Sequence, residues 1–352
     1  MNFLFDQAEK NRRASRFKSA QRTYQKLLRL PSLDALERAQ ALLGLADVER
    51  IQGFFPDSLR HYRSARLLSR PLDPSLAWDA RTGWALAARA CGRSREALAV
   101  LRRALKAYEK QGDPQGQAFV HWALGGTLRI AGGMKEGLRE LSRALRMFKS
   151  LKDAEGTAYT CCALGGIYRM LGRYGDSGKY YREANRRMRR LRDTFGTAYS
   201  YCGLGNVERM AGRWRKALPF YRMAEKLYGT IGDRVSYAYT LWSLGTTYKM
   251  MGSYSPAQKA FARADRLFRR TGDDRGRIYA LLGFAEIGYL RGREREGLRH
   301  WRLARSLAAS GSFAWEKLHV ESLRGGKVRN LAARYRRAGS SFHPLSLPVN
   351  WP

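Results

Sequence analysis

A repeat of 40 residues constrains this chain more than any other feature. Glycines recur at Gly92, Gly132, Gly172, Gly212, Gly252 and Gly292, and alanines at Ala104, Ala144, Ala184, Ala224, Ala264 and Ala304. A Leu-Gly pair returns at Leu124-Gly125, Leu164-Gly165, Leu204-Gly205 and Leu244-Gly245, and an Asp closes successive units at Asp113, Asp153, Asp193, Asp233 and Asp273. A chain of 352 residues would ordinarily divide into two or three domains. A repeat that needs almost no gaps instead grows one continuous core by stacking.

Each unit reads as a helix hairpin. From Thr157 to Gly196, Leu164, Ile167, Tyr168 and Leu171 fall at helical spacing, and Gly172 stops the run as a left-handed residue does. A second run carries Tyr174, Tyr181, Ala184 and Met188, and Asp193 stands ready to cap the next helix. Gly165 and Ala184 are small enough for two antiparallel helices to approach closely. One hairpin cannot bury its apolar face alone, so several copies are required.

Cys161, Leu164, Gly165, Tyr168, Ser177, Tyr181 and Ala184 stand at the spacing of the tetratricopeptide signature, and the chain resembles tetratricopeptide-repeat proteins. The 40-residue period is similar to the longer-helix variety of spindle-orientation scaffolds and kinesin light chains. Leu204-Gly205-Asn206 reproduces the Leu-Gly-Asn triplet of the former, while Gly126, Gly166 and Thr246 replace the Asn in other units. The resemblance implies an all-α, right-handed α-solenoid of about eight helix hairpins, in which the first helix of each pair lines a concave groove.

Extended in register, the array covers residues 1–310, with units starting near 1, 39, 78, 118, 158, 198, 238 and 278. A divergent first unit carries Phe17, Ala20, Tyr24 and Leu27, and the eighth carries Gly292, Trp301 and Ala304. Capping helices are expected over 311–338, with one from Phe313 to Leu323. A tail with three prolines follows over 339–352, either disordered or docked in the groove.

Sixty-six Lys and Arg against 30 Asp and Glu give a formal charge of +36, and 51 of those cations are Arg. Such an excess points to acidic partners, and guanidinium suits bidentate contact with carboxylate or phosphate. Hydrophobic content of 44% excludes disorder of the whole chain. Cys91, Cys161, Cys162 and Cys202 make neither a disulfide framework nor a zinc knuckle, and the five histidines show no metal-ligand spacing. No phosphate loop and no nucleophile with a base is present, so the expectation is a non-enzymatic protein without cofactor or metal. The absence of an apolar leader or span points to a cytoplasmic location.

Two ladders run along the first helices. Arg12, Arg50, Arg89, Arg129, Arg169, Arg209 and Lys249 hold equivalent places, and Tyr289 takes that place in the eighth unit. Helices roughly 8–10 Å apart put about 0.4 kcal/mol of repulsion between neighbouring charges in water and about 2 kcal/mol at a partly desolvated surface. A cation near a helix C-terminus also favours the helix dipole, without any ligand. Phe119, Tyr159, Tyr199, Tyr239 and Tyr279 form an aromatic ladder, which either packs the repeats or faces the groove with Asn206. A third basic run, Arg186 to Arg192, reads as a solvated face or an anion patch. The function these features favour is a protein-interaction scaffold or adaptor whose groove binds an acidic segment of another protein. The alternative is RNA, single-stranded DNA or another polyanion.

Overall fold

A computed structural model describes residues 2–311, 313–327, 332–337 and 347–351. Among the described residues it is an all-α solenoid of eight helix pairs. In order these are α1 (Asn2–Arg13) with α2 (Phe17–Leu27), α3 (Ala35–Gln52) with α4 (Phe55–Ser69), α5 (Pro74–Ala90) with α6 (Ser94–Gln111), and α7 (Pro114–Ala131) with α8 (Met134–Ser150). Then follow α9 (Ala154–Met170) with α10 (Tyr174–Arg190), α11 (Thr194–Met210) with α12 (Trp214–Ile231), α13 (Arg234–Met250) with α14 (Tyr254–Thr271), and α15 (Asp274–Leu290) with α16 (Glu294–Ser310). Beyond the array lie α17 (Ala314–Ser322) and the short α18 (Ala332–Arg337).

The helices begin where side chains can satisfy their first amides. Asp113, Asp153, Asp193, Asp233 and Asp273 each cap a first helix, accepting from the backbone N–H three residues on, as Asp193 does from Gly196 at 2.9 Å. First helices therefore start a few residues ahead of the unit boundaries read from apolar spacing, because the capped first turn carries little apolar signal. At the other end Gly172, with φ of 72°, reverses the chain into the second helix.

Packing between pairs turns on aromatic rings set against glycine. Tyr181 of α10 lies between Gly165 of α9 and Gly203 of α11, where added Cβ atoms would stand 2.8 and 2.1 Å from its ring. Phe261 lies likewise between Gly245 and Gly283. The small positions of the sequence are thus the sockets that let consecutive pairs stack.

Successive first helices, from α3 through α15, pack against one another, while the second helices of successive pairs stand further apart. First helices therefore form the inner row and second helices the outer one. The winding is tight enough that distant pairs touch: α3 reaches α13 and α7 reaches α17. The Ser15 hydroxyl accepts from the Phe195 amide at 3.3 Å, and the Phe17 and Phe195 rings meet edge to face at 5.9 Å. The Arg234 guanidinium lies 5.0 Å over Phe54, and the Trp315 indole N–H donates to the Arg129 carbonyl at 3.1 Å. The inner face is consequently flanked by contacts between distant pairs.

Of the expected capping helices, α17 packs over 314–322 and α18 covers 332–337; the residues between 328 and 331 are outside the description. Within the expected tail, 347–351 is described and docked, whereas 339–346 and 352 lie outside the described residues.

Candidate functional site

The cations of the basic ladder all sit in the last turns of the inner helices, but their surroundings change along the array. In the first unit the Glu9 carboxylate, three residues before Arg12, accepts from its guanidinium at 2.7 Å and from the hydroxyl of Tyr24, twelve residues after it. The second unit repeats this with Asp47, Arg50 and Tyr62: Arg50 donates to Asp47 at 3.3 Å and to Tyr62 at 3.1 Å, and Tyr62 donates to Asp47 at 2.6 Å. The sixth repeats it with a neutral acceptor, Asn206, which takes the Tyr221 hydroxyl at 2.9 Å while Arg209 donates to Tyr221 at 3.2 Å.

Between them the acceptor disappears. The equivalent residues are Leu86 before Arg89, Gly126 before Arg129 and Gly166 before Arg169. Gly126 leaves space for the preceding repeat's cation, since a Cβ there would stand 2.8 Å from Arg89 Nη1. Arg89 reaches the Ala123 carbonyl and the Thr127 hydroxyl only at 3.5 Å. Burial, reinforced by the charges of Arg50 and Arg129, pushes its pKa down to about 9. Arg169 is 9% exposed, and its Nε and Nη1 have no hydrogen-bond partner among the described residues. Three consecutive repeats thus hold cations that no carboxylate pairs with among the described residues.

The next two rungs are occupied. Lys249 and Glu286, both wholly buried, pair at 2.7 Å across adjacent repeats. Burial pushes the Lys249 ammonium down and the Glu286 carboxyl up from their ordinary pKa values. The pair also clamps a peptide unit: Lys249 donates to the Val349 carbonyl at 2.6 Å, and Glu286 accepts from the Val349 amide. Arg209 donates to the Trp351 carbonyl at 2.8 Å and to the Asn350 side-chain oxygen, and the Asn350 amide donates back to the Arg209 carbonyl at 2.9 Å. Trp351 is fully buried, 4.6 Å from the ring of His319. Burial pushes the pKa of His319 down to about 3, so this wall of the site is uncharged at neutral pH.

The aromatic ladder lies at the seam between repeats. Tyr159 donates to Asp193 at 2.7 Å, and the Tyr239 hydroxyl accepts from Arg275 at 3.0 Å. Phe119 is exposed beside Trp122, and Tyr199 is half-buried. Tyr279 approaches the occupied rungs, packing 4.9 Å from Trp242 and 5.7 Å from His319. Trp242 in turn lies 5.5 Å from the Arg209 guanidinium. In the basic run, Arg186 and Arg187 pair with Glu183, while Arg189, Arg190 and Arg192 are exposed.

Burial raises the thiol pKa of Cys161 to about 11 and holds that of Cys162 well above its ordinary value, so neither is a reactive thiolate. Among the described residues no cluster of His, Cys, Asp and Glu could hold a metal, and no helix is long and apolar enough to cross a membrane. Reading the sequence alone missed Glu286 and the Val349–Trp351 segment.

Residues 156–230 match the family model for the tetratricopeptide repeat. A Rap protein complexed with competence and sporulation factor superposes with a TM-score of 0.68 at 14% identity, covering 96% of each chain. NprR in complex with its cognate peptide NprX gives a TM-score of 0.61 at 13% identity over 90% of this chain and 96% of its own. The Rap conjugation gene regulator of the plasmid pLS20, in complex with the Phr* peptide, gives 0.64 at 14% identity over 79% and 76%. At such identities the likeness is one of fold. No curated protein matches the chain by sequence.

Proposed function

We propose that this solenoid of tetratricopeptide-like helix pairs is a non-enzymatic scaffold whose inner face binds an extended, acidic segment of a partner protein. The observation that carries this reading is the chemistry of two adjoining stretches of one inner face. Lys249, Glu286 and Arg209 engage the main chain of residues 349–351, and Arg169, Arg129 and Arg89 continue the row with no carboxylate paired to them among the described residues. A carboxylate entering beside these guanidinium groups meets charge-assisted hydrogen bonds inside a poorly hydrated enclosure, where each is worth roughly 1.5–3 kcal/mol. That the Rap conjugation gene regulator of pLS20 and NprR were solved with peptides bound supports the same use of a similar superhelix.

Selection of random dodecapeptides against the full chain tests the proposal. Sequences rich in Asp and Glu should be enriched on the wild-type protein. Their affinity should fall by about 100-fold or more on the Arg89→Ala/Arg129→Ala/Arg169→Ala variant, on the estimate that three such contacts are lost. Recovery of the same sequences from both proteins, with equal affinity, overturns the assignment.

The exposed Arg189, Arg190 and Arg192 at the outer end of α10 favour a second reading, in which the outer surface takes a polyanion. Binding of that kind falls steeply as salt rises. Binding of labelled single-stranded RNA that is unchanged between about 50 and 200 mM salt excludes it.

A further inference from the structure

The occupied rungs hold a stretch of the chain's own residues along the inner face. Four features make Val349–Trp351 resemble a bound peptide rather than ordinary core. Both main-chain groups of Val349 are used, by Lys249 and Glu286. The Asn350 amide makes two bonds to Arg209, one donated and one accepted. Trp351 fills an apolar pocket beside His319. The Lys249–Glu286 ion pair stands wholly out of water, a costly arrangement unless further hydrogen bonds complete it, and the peptide unit of Val349 supplies them.

The fit is not optimal. The Trp351 indole nitrogen is buried with no partner among the described residues, so the segment leaves a desolvation cost uncompensated. An occupant whose aromatic ring lacks that N–H avoids the cost.

Direction follows from the same contacts. The segment passes from Lys249 at Val349 to Arg209 at Trp351, so rising residue number runs toward earlier repeats. A longer peptide lying the same way next meets Arg169, then Arg129, then Arg89. Two residues separate the contacts at Lys249 and Arg209, and at about 3.3 Å per extended residue with roughly 8–10 Å between helices a fully extended strand needs two to three residues per rung.

We propose that residues 347–351 are an internal occupant of the partner site. The partner segment carries the same triplet, apolar then amide then aromatic, followed by carboxylates about every third residue, and it binds by displacing the internal one. This rests on the reading that the inner face takes an acidic peptide. The tethered segment competes at a high effective concentration, so a free peptide sees only the fraction of molecules whose site is open.

Two fluorescein-labelled probes test it on the full chain: a peptide of residues 342–351, and the same peptide extended by Gly-Gly-Glu-Gly-Gly-Glu. The Asn350→Ala/Trp351→Ala variant should bind the first probe about 10-fold or more tightly than the wild type, because its own segment no longer competes. Asn350→Ala alone, which keeps the Trp351 packing, should shift affinity the same way by less. The extended probe should bind about 10-fold tighter again, and Arg169→Ala/Arg129→Ala should remove that gain. Equal binding of the first probe to wild type and variants, or binding to none, overturns the internal occupant. An extension without gain overturns the stated direction. Acid-rich peptides recovered from the random library alongside either result would leave the broader reading standing.

Discussion

Replacing Tyr181 by Ala is expected to destabilise the array by about 3–5 kcal/mol, the range for removing a large buried ring. The ring is almost wholly buried and is shared by two interfaces, that of α10 with Gly165 in its own pair and that with Gly203 in the next. Its loss therefore weakens one hairpin and the seam to its neighbour together. In an array held by contacts between consecutive units, a weak central seam should also split the urea unfolding transition. Gly203→Ala approaches the same seam from the other side, pushing a methyl to 2.1 Å from the ring. Overpacking of about 1–3 kcal/mol then outweighs the roughly 1 kcal/mol that Ala gains over Gly in a helix. The double variant should cost less than the sum, because the methyl enters the space the ring vacated. Additive costs, or a Tyr181→Ala cost below about 1 kcal/mol, would refute the socket model.

Lys249→Met should cost about 3–5 kcal/mol, since it leaves the Glu286 carboxylate buried without its counter-ion. Adding Glu286→Leu should restore most of that stability, because an apolar pair of similar volume carries no desolvation penalty. The double variant should nonetheless fail to hold residues 347–351, because both main-chain groups of Val349 have lost their partners. Thermal unfolding reads the first effect, and hydrogen exchange at the Val349 and Asn350 amides reads the second. Slow exchange in the stable double variant would mean that packing of Trp351 alone holds the segment.

Much of this was legible in the residues. The Asp caps and hairpin glycines lie where their chemistry places them, and the stacking glycines declare themselves by recurring opposite Tyr or Phe. The change along the basic ladder was legible too, in the residue three places earlier: Glu9, Asp47 and Asn206 against Leu86, Gly126 and Gly166. Glu286 was harder to find. It occupies that same place before Tyr289 but answers a cation 37 residues earlier, on the neighbouring repeat. Val349-Asn350-Trp351 is too short to have a period, and its role comes only from what it touches. The winding of the superhelix accumulates from small rotations at each seam, which no single unit encodes.

That winding bears on how fast anything can enter. An open solenoid accepts a strand laid sideways along its whole length at once. Here Ser15 meets Phe195, Phe54 meets Arg234 and Arg129 meets Trp315, so the bore is clasped along its side. The proposed peptide partner would either thread in from an end or wait for a clasp to part. Association of the proposed peptide partner would then be governed by a conformational step, slower than the 10⁵–10⁷ M⁻¹s⁻¹ usual for docking preformed surfaces. Release passes through the same gate, so a complex of modest affinity can still be long-lived.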